Sequence, residues 1–113
     1  MEQPEAPPVA PPQVMVVLAN DPTQDTVVWL GGEHDLGSAE DLMQAIATAV
    51  DAGPSDLIID LSRVEFMDST TIDQILEART RLVAEGRKAH VRDPSPAARC
   101  VLEICGLTHL VAS

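Results

Sequence analysis

The chain has 113 residues, 45% of them hydrophobic, and its 18 acidic and 7 basic residues give a formal charge of −11 at pH 7. That length supports one small domain with a single core and is too short for two. Because an acidic surface repels phosphate groups, the charge argues against direct binding to nucleic acid or to a membrane surface and favours a partner with a basic face.

The N-terminal stretch MEQPEAPPVAPPQ contains five of the nine prolines and no periodic apolar pattern. We therefore predict that residues 1–13 are a disordered, proline-rich tail and that residues 14–113 form one domain. A docking peptide is the alternative for the tail. No apolar run reaches the ~20 residues of a membrane span and no secretory signal begins the chain, so we expect a cytoplasmic protein.

Two β-branched runs come next. The predicted strands are Val14–Ala19 and Thr26–Leu30, joined in a β-hairpin by the turn-prone NDPTQD. Gly31 and Gly32 are expected to end the second strand.

A helix is predicted over Ala39–Asp51, where apolar residues recur at helical spacing and Gly53 and Pro54 follow. Ser38 with Asp41 three residues later resembles a capping box, with Asp in place of the usual Glu or Gln.

The second half of the chain alternates strands and helices. Leu57–Ile59 is apolar on both faces, as expected of a central strand covered by helices. A helix follows FMDS and ends at Gly86, and RKAHVRD gives a fourth strand. The third helix lies in PSPAARCVLEICGL, with Ser95 as its cap, Pro96 at its first position and Gly106 after its end. The final LTHLVAS can add a short edge strand.

The order of these elements predicts the fold class. The sequence ββαβαβα(β) is typical of an α/β protein in which a hairpin is followed by parallel crossovers. We expect a mixed sheet of four or five strands with three or more helices packed on it.

The two cysteines, Cys100 and Cys105, lie in the third predicted helix. Five helical steps of about 100° turn their side chains away from each other, so a bond between them would require the helix to open. We expect two reduced thiols that line the core. A redox or metal role is the alternative, weakened because the sequence has no CxxC pair and no histidine at ligand spacing.

The stretch FMDSTTID passes from an apolar strand to hydroxyls at the start of a helix. The hydroxyl of Ser69 can cap the first free backbone amides of that helix. Alternatively, Ser69 is a modification site, where a phosphate meets amide donors but adds about two negative charges beside Asp68. Such a group would change the charge of the surface and nearly keep its shape, which is typical of a switch for partner binding.

Three stretches together resemble the STAS family, whose best known single-domain members are the anti-sigma factor antagonists of bacteria. VVWLGGEHDLGSAEDL resembles the family's strand and first loop, DLIIDLSRVEFMDSTT its strand and Asp-Ser-Ser/Thr-Gly signature, and SPAARCVLEICGL its closing helix. The stretches span Val14–Val111, and their order and spacing are specific. The resemblance implies a STAS-like fold.

By position, the resemblance implies that Ser69 is the family's phosphoacceptor, with Asp68 and Asp35 as neighbouring acids. The implied contact surface is made by Asp35, Asp68, Ser69, Thr70 and Thr71. The expected partners are an anti-sigma factor with ATP-dependent kinase activity and a protein phosphatase that resets the cycle. The unphosphorylated form would bind the anti-sigma factor and free the sigma factor for transcription. A non-catalytic subunit of a lipid-transport ABC complex, or a docking module without a phospho-switch, is the alternative.

Three positions depart from the family's pattern. Thr71 stands where the family usually has Gly, Asp73 stands where a small residue is common, and His34 replaces an aliphatic residue. The β-branched Thr71 restricts close backbone approach, and Thr70 is an alternative phosphoacceptor. We expect His34 to be an exposed loop residue, with pH sensitivity of that loop as the alternative.

No catalytic constellation is expected. His34 and Asp35 are adjacent and cannot easily orient one another, and no nucleophile-elbow glycines bracket Ser69. His90 and His109 are isolated, and the sequence has no glycine-rich phosphate loop with a lysine. We therefore expect a binding protein and not an enzyme, with no catalytic residues, no metal and no cofactor.

Overall fold

The computed structural model describes residues 12–21 and 23–111. Its strands are β1 (Gln13–Val17), β2 (Thr26–His34), β3 (Leu57–Met67) and β4 (Ala89–Arg92), and its helices are α1 (Ala39–Asp51), α2 (Ser69–Ala84) and α3 (Pro96–Ile104). Two short 3-10 turns, Leu36–Ser38 and Thr108–Leu110, accompany them. None of the described helices is long and apolar enough to cross a membrane.

The strands form one mixed sheet in the order β1-β2-β3-β4. β1 runs antiparallel to β2, while β2, β3 and β4 are parallel to one another. This hairpin followed by parallel crossovers confirms the predicted α/β fold class. Because β2 and β3 are parallel neighbours, their carboxyl ends lie at the same edge of the sheet.

One face of the sheet and the three helices enclose an aliphatic core. The strands contribute every second residue and the helices contribute stripes at helical spacing. The members of the core include Val28, Leu30, Leu42, Ile46, Leu57, Ile59, Leu61, Met67, Ile72, Ile75, Leu82, Val91 and Leu102. Burying one such side chain stabilises the fold by roughly 1.5–3 kcal/mol. The predicted helix Ala39–Asp51 is confirmed with the same bounds.

The second strand does not end at the glycines. β2 continues through Gly31 and Gly32 to His34, so the expected stop was wrong. A Cβ on Gly31 would lie 3.2 Å from Oε1 of Gln13 and 3.4 Å from Cβ of Arg63. Gly32 has a φ of 73°, and the register between β2 and β3 shifts on either side of these residues. The glycines therefore permit a close approach and an irregular strand pairing, not a turn.

The ends of the predicted domain also differ. β1 begins at Gln13, which we assigned to the tail, and it ends before Ala19. The expected C-terminal edge strand is reduced to a 3-10 turn and a single bridge between Val91 and Val111. The remaining predicted tail, residues 1–11, lies outside the described residues.

The ends of helix α3 are as predicted. Ser95 is the cap, and its Oγ accepts a hydrogen bond from the amide of Ala98 at 3.1 Å. Pro96 occupies the first helical position, and Gly106 follows the end with a φ of 70°. A left-handed glycine after the last turn is a common way to end a helix.

The two thiols are not part of the core. Cys100 and Cys105 are both exposed, so the expectation of core-lining cysteines was wrong. The buried stripe of α3 is formed by Ala98 and Leu102, which are four residues apart. Cys100 lies midway between them in sequence and so on the other side of the helix, and Cys105 follows the helix end.

Candidate functional site

The loops that follow β2 and β3 form the candidate site. His34 and Met67 are paired at the ends of these strands, and Asp35 and Asp68 come directly after them. The parallel pairing thus brings both predicted acidic residues to one edge of the sheet, beside the start of α2.

His34 is the buried anchor of the first loop, with 0% of its surface exposed. Its Nε2 lies 2.9 Å from the carbonyl oxygen of Gly31 and 3.2 Å from that of Gln13, so Nε2 carries the proton and donates. Its Nδ1 lies 3.3 Å from Oγ of Ser38, whose single proton is shared between Nδ1 and the carbonyl oxygen of Asp35 at 3.1 Å. The expectation of an exposed loop histidine was wrong, because β2 extends far enough to carry His34 into the interior.

Asp35 caps the 3-10 turn of the first loop. Its Oδ1 accepts from the amide of Gly37 at 2.8 Å, and its own amide donates to Oγ of Ser38 at 3.2 Å. The capping box is therefore formed by Asp35 and Ser38, and the predicted pair of Ser38 and Asp41 was wrong. Ser38 makes no side-chain cap to α1, because its hydroxyl faces His34.

Asp68 caps helix α2. Its Oδ1 accepts from the amide of Thr70 at 3.0 Å and from that of Thr71 at 3.4 Å. Of the two alternatives for Ser69, the capping role is wrong: Ser69 is the first residue of the helix, one position past the cap, and it is exposed. Since Asp68 satisfies these amides, the Ser69 hydroxyl has no capping role.

Hydrogen bonds join the two loops. The carbonyl oxygen of His34 accepts from the amide of Asp68 at 3.2 Å and from the hydroxyl of Thr71 at 3.4 Å. Thr71 is only 2% exposed. Its side chain lies beneath the two loops that its hydrogen bond connects, and it is therefore not part of the surface formed by the other predicted contact residues. A further bond, from Nε2 of Gln74 to the carbonyl oxygen of Ala39 at 2.8 Å, ties α2 to the start of α1.

The accessible part of the site is acidic. Its exposed or half-buried members are Asp35, Asp68, Ser69, Thr70 and Asp73. Next to them, Leu36 in the first loop is 75% exposed. The sequence patterns did not single out Leu36, because it lies in a loop outside any helical or strand stripe.

This arrangement can carry a charge change, and its one histidine is not placed to act as a base. The ring of His34 is fully buried and its two nitrogens face the carbonyl oxygen of Gly31 and the hydroxyl of Ser38, so the ring is not available to activate the exposed Ser69 hydroxyl. Within residues 12–21 and 23–111, no group of three or more His, Cys, Asp or Glu side chains could hold a metal ion. A phosphate on Ser69 would add about two negative charges beside Asp68 and would leave the buried hydrogen bonds intact.

Comparison with known proteins gives matches over most of the chain. Residues 18–112 match the family model described as "Mlab, STAS domain". The anti-sigma-F factor antagonist RsfB of Mycobacterium tuberculosis is 35% identical over 98 residues, which cover 87% of this chain and 79% of RsfB.

Two solved structures of one protein share the fold. The anti-sigma factor antagonist SpoIIAA in its unphosphorylated form is 26% identical, with a TM-score of 0.75, and the match covers 88% of this chain and 86% of that chain. The Bacillus cell fate determinant SpoIIAA in the phosphorylated form is also 26% identical, with a TM-score of 0.69 over 88% of this chain and 89% of that chain. The resemblance seen in the three sequence stretches is thereby confirmed, and the chain belongs to the STAS domain family.

Proposed function

We propose that this protein is an anti-sigma factor antagonist, which binds an anti-sigma factor and thereby regulates transcription that depends on a sigma factor. The contact surface is formed by Asp35, Asp68, Ser69 and Thr70, with Thr71 holding the two loops together beneath it. The observation that carries the proposal is the exposed position of Ser69 at the first turn of α2, beside an aspartate that already caps the helix.

The relatives support this role. RsfB is an anti-sigma-F factor antagonist, and SpoIIAA is an anti-sigma factor antagonist that exists in unphosphorylated and phosphorylated forms. The similarity to both extends over 87–88% of this chain and includes the two loops of the site.

Phosphorylation of Ser69 is the proposed control. A kinase must reach the hydroxyl, and Ser69 is exposed whereas the alternative acceptor, Thr70, is half-buried. The added phosphate carries about two negative charges and lies beside Asp68. A partner that fits the unphosphorylated surface would have to desolvate this dianion, so phosphorylation weakens the complex.

Two further proteins complete the proposed cycle. An anti-sigma factor with ATP-dependent kinase activity binds the unphosphorylated form and modifies Ser69, and a protein phosphatase restores the hydroxyl. The proposal assigns this chain no catalytic residue, no metal and no cofactor, and it places the cycle in the cytoplasm, where transcription occurs.

The control at Ser69 is tested by incubating the full chain with candidate anti-sigma kinases of its host and ATP, and then measuring its intact mass. The expected result is a gain of one phosphate in the wild type and in Thr70→Ala, but not in Ser69→Ala. Thr70→Ala is the matched control, because it removes a neighbouring hydroxyl from the same helical turn. A gain that persists in Ser69→Ala, or stable binding to a kinase with no gain at all, would contradict the proposed control.

A second candidate is a non-catalytic subunit of a lipid-transport ABC complex, or a docking module that uses the same surface without a phospho-switch. Two observations favour it: the matching family model is described with the name Mlab, and Thr71 fills the position where the signature has glycine. The variant Ser69→Asp separates the candidates, since an antagonist loses binding to its partner and a docking module retains it.

A further inference from the structure

A cleft of about 230 Å³ lies beside β4, at the edge of the sheet. Four basic side chains from three parts of the fold line it: Arg79 of α2, Lys88 just before β4, His90 within β4, and His109 of the second 3-10 turn. Among the described residues, none of those that line the cleft is acidic. In a chain of formal charge −11, this concentration of basic groups indicates a site for an anion.

The basic side chains of the cleft are not neutralised by acidic neighbours. Elsewhere in the fold three arginines each have a carboxylate within 4.0 Å, namely Arg81, Arg87 and Arg92. Within residues 12–21 and 23–111, no carboxylate lies that close to the side chains of Arg79, Lys88, His90 or His109. Asp56 approaches the backbone of Lys88, where its Oδ1 accepts from the amide at 2.8 Å, and not its ammonium group. The charges of Arg79 and Lys88 are therefore available to a ligand.

The last turn of α2 borders the cleft through Val83, and free carbonyl oxygens at a helix end would repel an anion. Two of these oxygens already have donors. The carbonyl oxygen of Leu82 accepts from the amide of Arg87 at 2.8 Å. That of Val83 accepts from the amide of Gly86 at 3.0 Å. The turn after the helix therefore satisfies both acceptors and reduces their repulsion of an anion.

The donors of the cleft match a phosphate group better than a carboxylate. Arg79 offers a planar fork of N–H donors, Lys88 offers an ammonium group on a flexible stem, and each histidine ring offers at least one N–H. A phosphomonoester carries nearly two negative charges and three acceptor oxygens, whereas a carboxylate carries one charge on two oxygens. Donors from three separate elements can therefore each find an acceptor on one phosphate group.

The size of the cleft favours a small ligand. Sites for drug-sized molecules usually measure about 300–1,000 Å³, and this cleft of about 230 Å³ is smaller. Ala89 and Leu110 add apolar surface to its lining. These dimensions suit one phosphate group that carries a small apolar part.

We propose that this cleft binds the phosphate group of a small molecule, which accepts hydrogen bonds from Arg79, Lys88, His90 and His109. The cleft is separate from the Ser69 surface. Arg79 follows Ser69 on α2 by roughly 15 Å along the helix axis, at a rise of about 1.5 Å per residue. The proposal therefore does not depend on the proposed control at Ser69.

Pyrophosphate is the probe for a test in the full chain. Backbone amide shifts of β4 are followed by NMR as pyrophosphate is added at constant ionic strength, and the shifts should saturate with a Kd below about 1 mM. In Arg79→Gln/Lys88→Gln the Kd should rise at least about tenfold, because two charge-assisted hydrogen bonds are lost. The matched control is Arg63→Gln/Arg99→Gln, which removes the same charge from two exposed arginines that do not line the cleft. This control should change the Kd by less than about twofold, since distant exposed charges are screened.

Three results would overturn the proposal. One is the absence of saturable shifts, or an equal Kd in the wild type and in Arg79→Gln/Lys88→Gln, which would mean that the cleft does not bind the probe. The second is equally tight binding of succinate, which would assign the cleft to carboxylates. The third is binding to vesicles that contain phosphatidic acid without saturable binding of pyrophosphate, which would place the phosphate group on a lipid and not on a small molecule.

Discussion

The two loops of the site are built from the same residue types and use them differently. Asp35 and Asp68 each cap a turn that follows a parallel strand, and each is followed by a serine. Ser38, three residues after Asp35, turns back and is buried against His34. Ser69, one residue after Asp68, occupies the first helical position and faces solvent. The spacing between the aspartate and the serine thus decides whether the hydroxyl stabilises the loop or remains available to a partner.

The largest expected effect comes from the buried side chain that anchors the first loop. His34→Ala removes a fully buried ring and leaves the carbonyl oxygen of Gly31 without its donor. We expect the free energy of unfolding, measured by urea denaturation, to fall by about 3 kcal/mol. His90→Ala is the control, since His90 is half-buried on β4, and an equal loss in both variants would contradict the anchoring role of His34.

Removal of the cap of α2 should have the next largest effect. Asp68→Ala deletes the acceptor of the Thr70 and Thr71 amides, and we expect a loss of about 1 kcal/mol in the same measurement. Asp68→Asn keeps an acceptor oxygen and should remain close to the wild type. A loss as large in the Asn variant as in the Ala variant would mean that charge, not capping, accounts for the effect of Asp68.

The comparison of the two serines can be measured directly. Ser38→Ala leaves Nδ1 of His34 and the amide of Asp35 without their partner, so we expect a loss of about 1 kcal/mol in unfolding free energy. Ser69→Ala removes an exposed hydroxyl with no capping role and should change stability by less than about 0.5 kcal/mol. An equal loss of unfolding free energy in Ser69→Ala and Ser38→Ala would contradict the claim that only the Ser38 hydroxyl stabilises its loop.

A third aspartate and serine pair lies within β3, where the serine hydroxyl is bound to the aspartate. The amide and hydroxyl of Ser62 donate to Oδ1 of Asp60 at 2.9 and 2.6 Å, and Arg92 donates to Oδ2. Burial by itself raises the pKa of Asp60, but these hydrogen bonds and the charge of Arg92 outweigh it and hold the pKa below its ordinary value of 3.8.

The smallest expected effect is the pH dependence of this pair. Because the pKa of Asp60 is lower in the folded than in the unfolded chain, its stabilisation is complete above pH 3.8 and is lost as the pH falls through the folded-state value. The difference in unfolding free energy between the wild type and Asp60→Asn should therefore be constant from neutral pH to about pH 5 and should shrink below about pH 4. A difference that stays constant down to about pH 2 would contradict the lowered pKa.

Local patterns predicted the elements of this fold well. The helix Ala39–Asp51 and the cap of α3 at Ser95 depend on residues that are neighbours in sequence, and both are confirmed. Gly31 and Gly32 were wrongly predicted to end β2, because glycine is common both in turns and in irregular strands. Only the close approach of Arg63, which is distant in sequence, distinguishes the two cases.

The site was harder to predict because it depends on partners distant in sequence. The burial of His34 requires the extension of β2 and the carbonyl oxygen of Gln13, 21 residues away. The choice of cap between Asp68 and Ser69 could not be decided from residue type, since both are good caps at adjacent positions. The prediction put the cysteines in the core because a shift of one residue in the assumed apolar stripe changes which side of α3 faces the core.

The central claim is that the charge at Ser69 controls binding to an anti-sigma factor. The most direct test is calorimetric titration of the unphosphorylated and the Ser69-phosphorylated protein with its cognate anti-sigma factor at one salt concentration. The account predicts that phosphorylation raises the Kd at least about tenfold, which corresponds to about 1.4 kcal/mol, while the fold is unchanged. Equal Kd values for the two forms would contradict it.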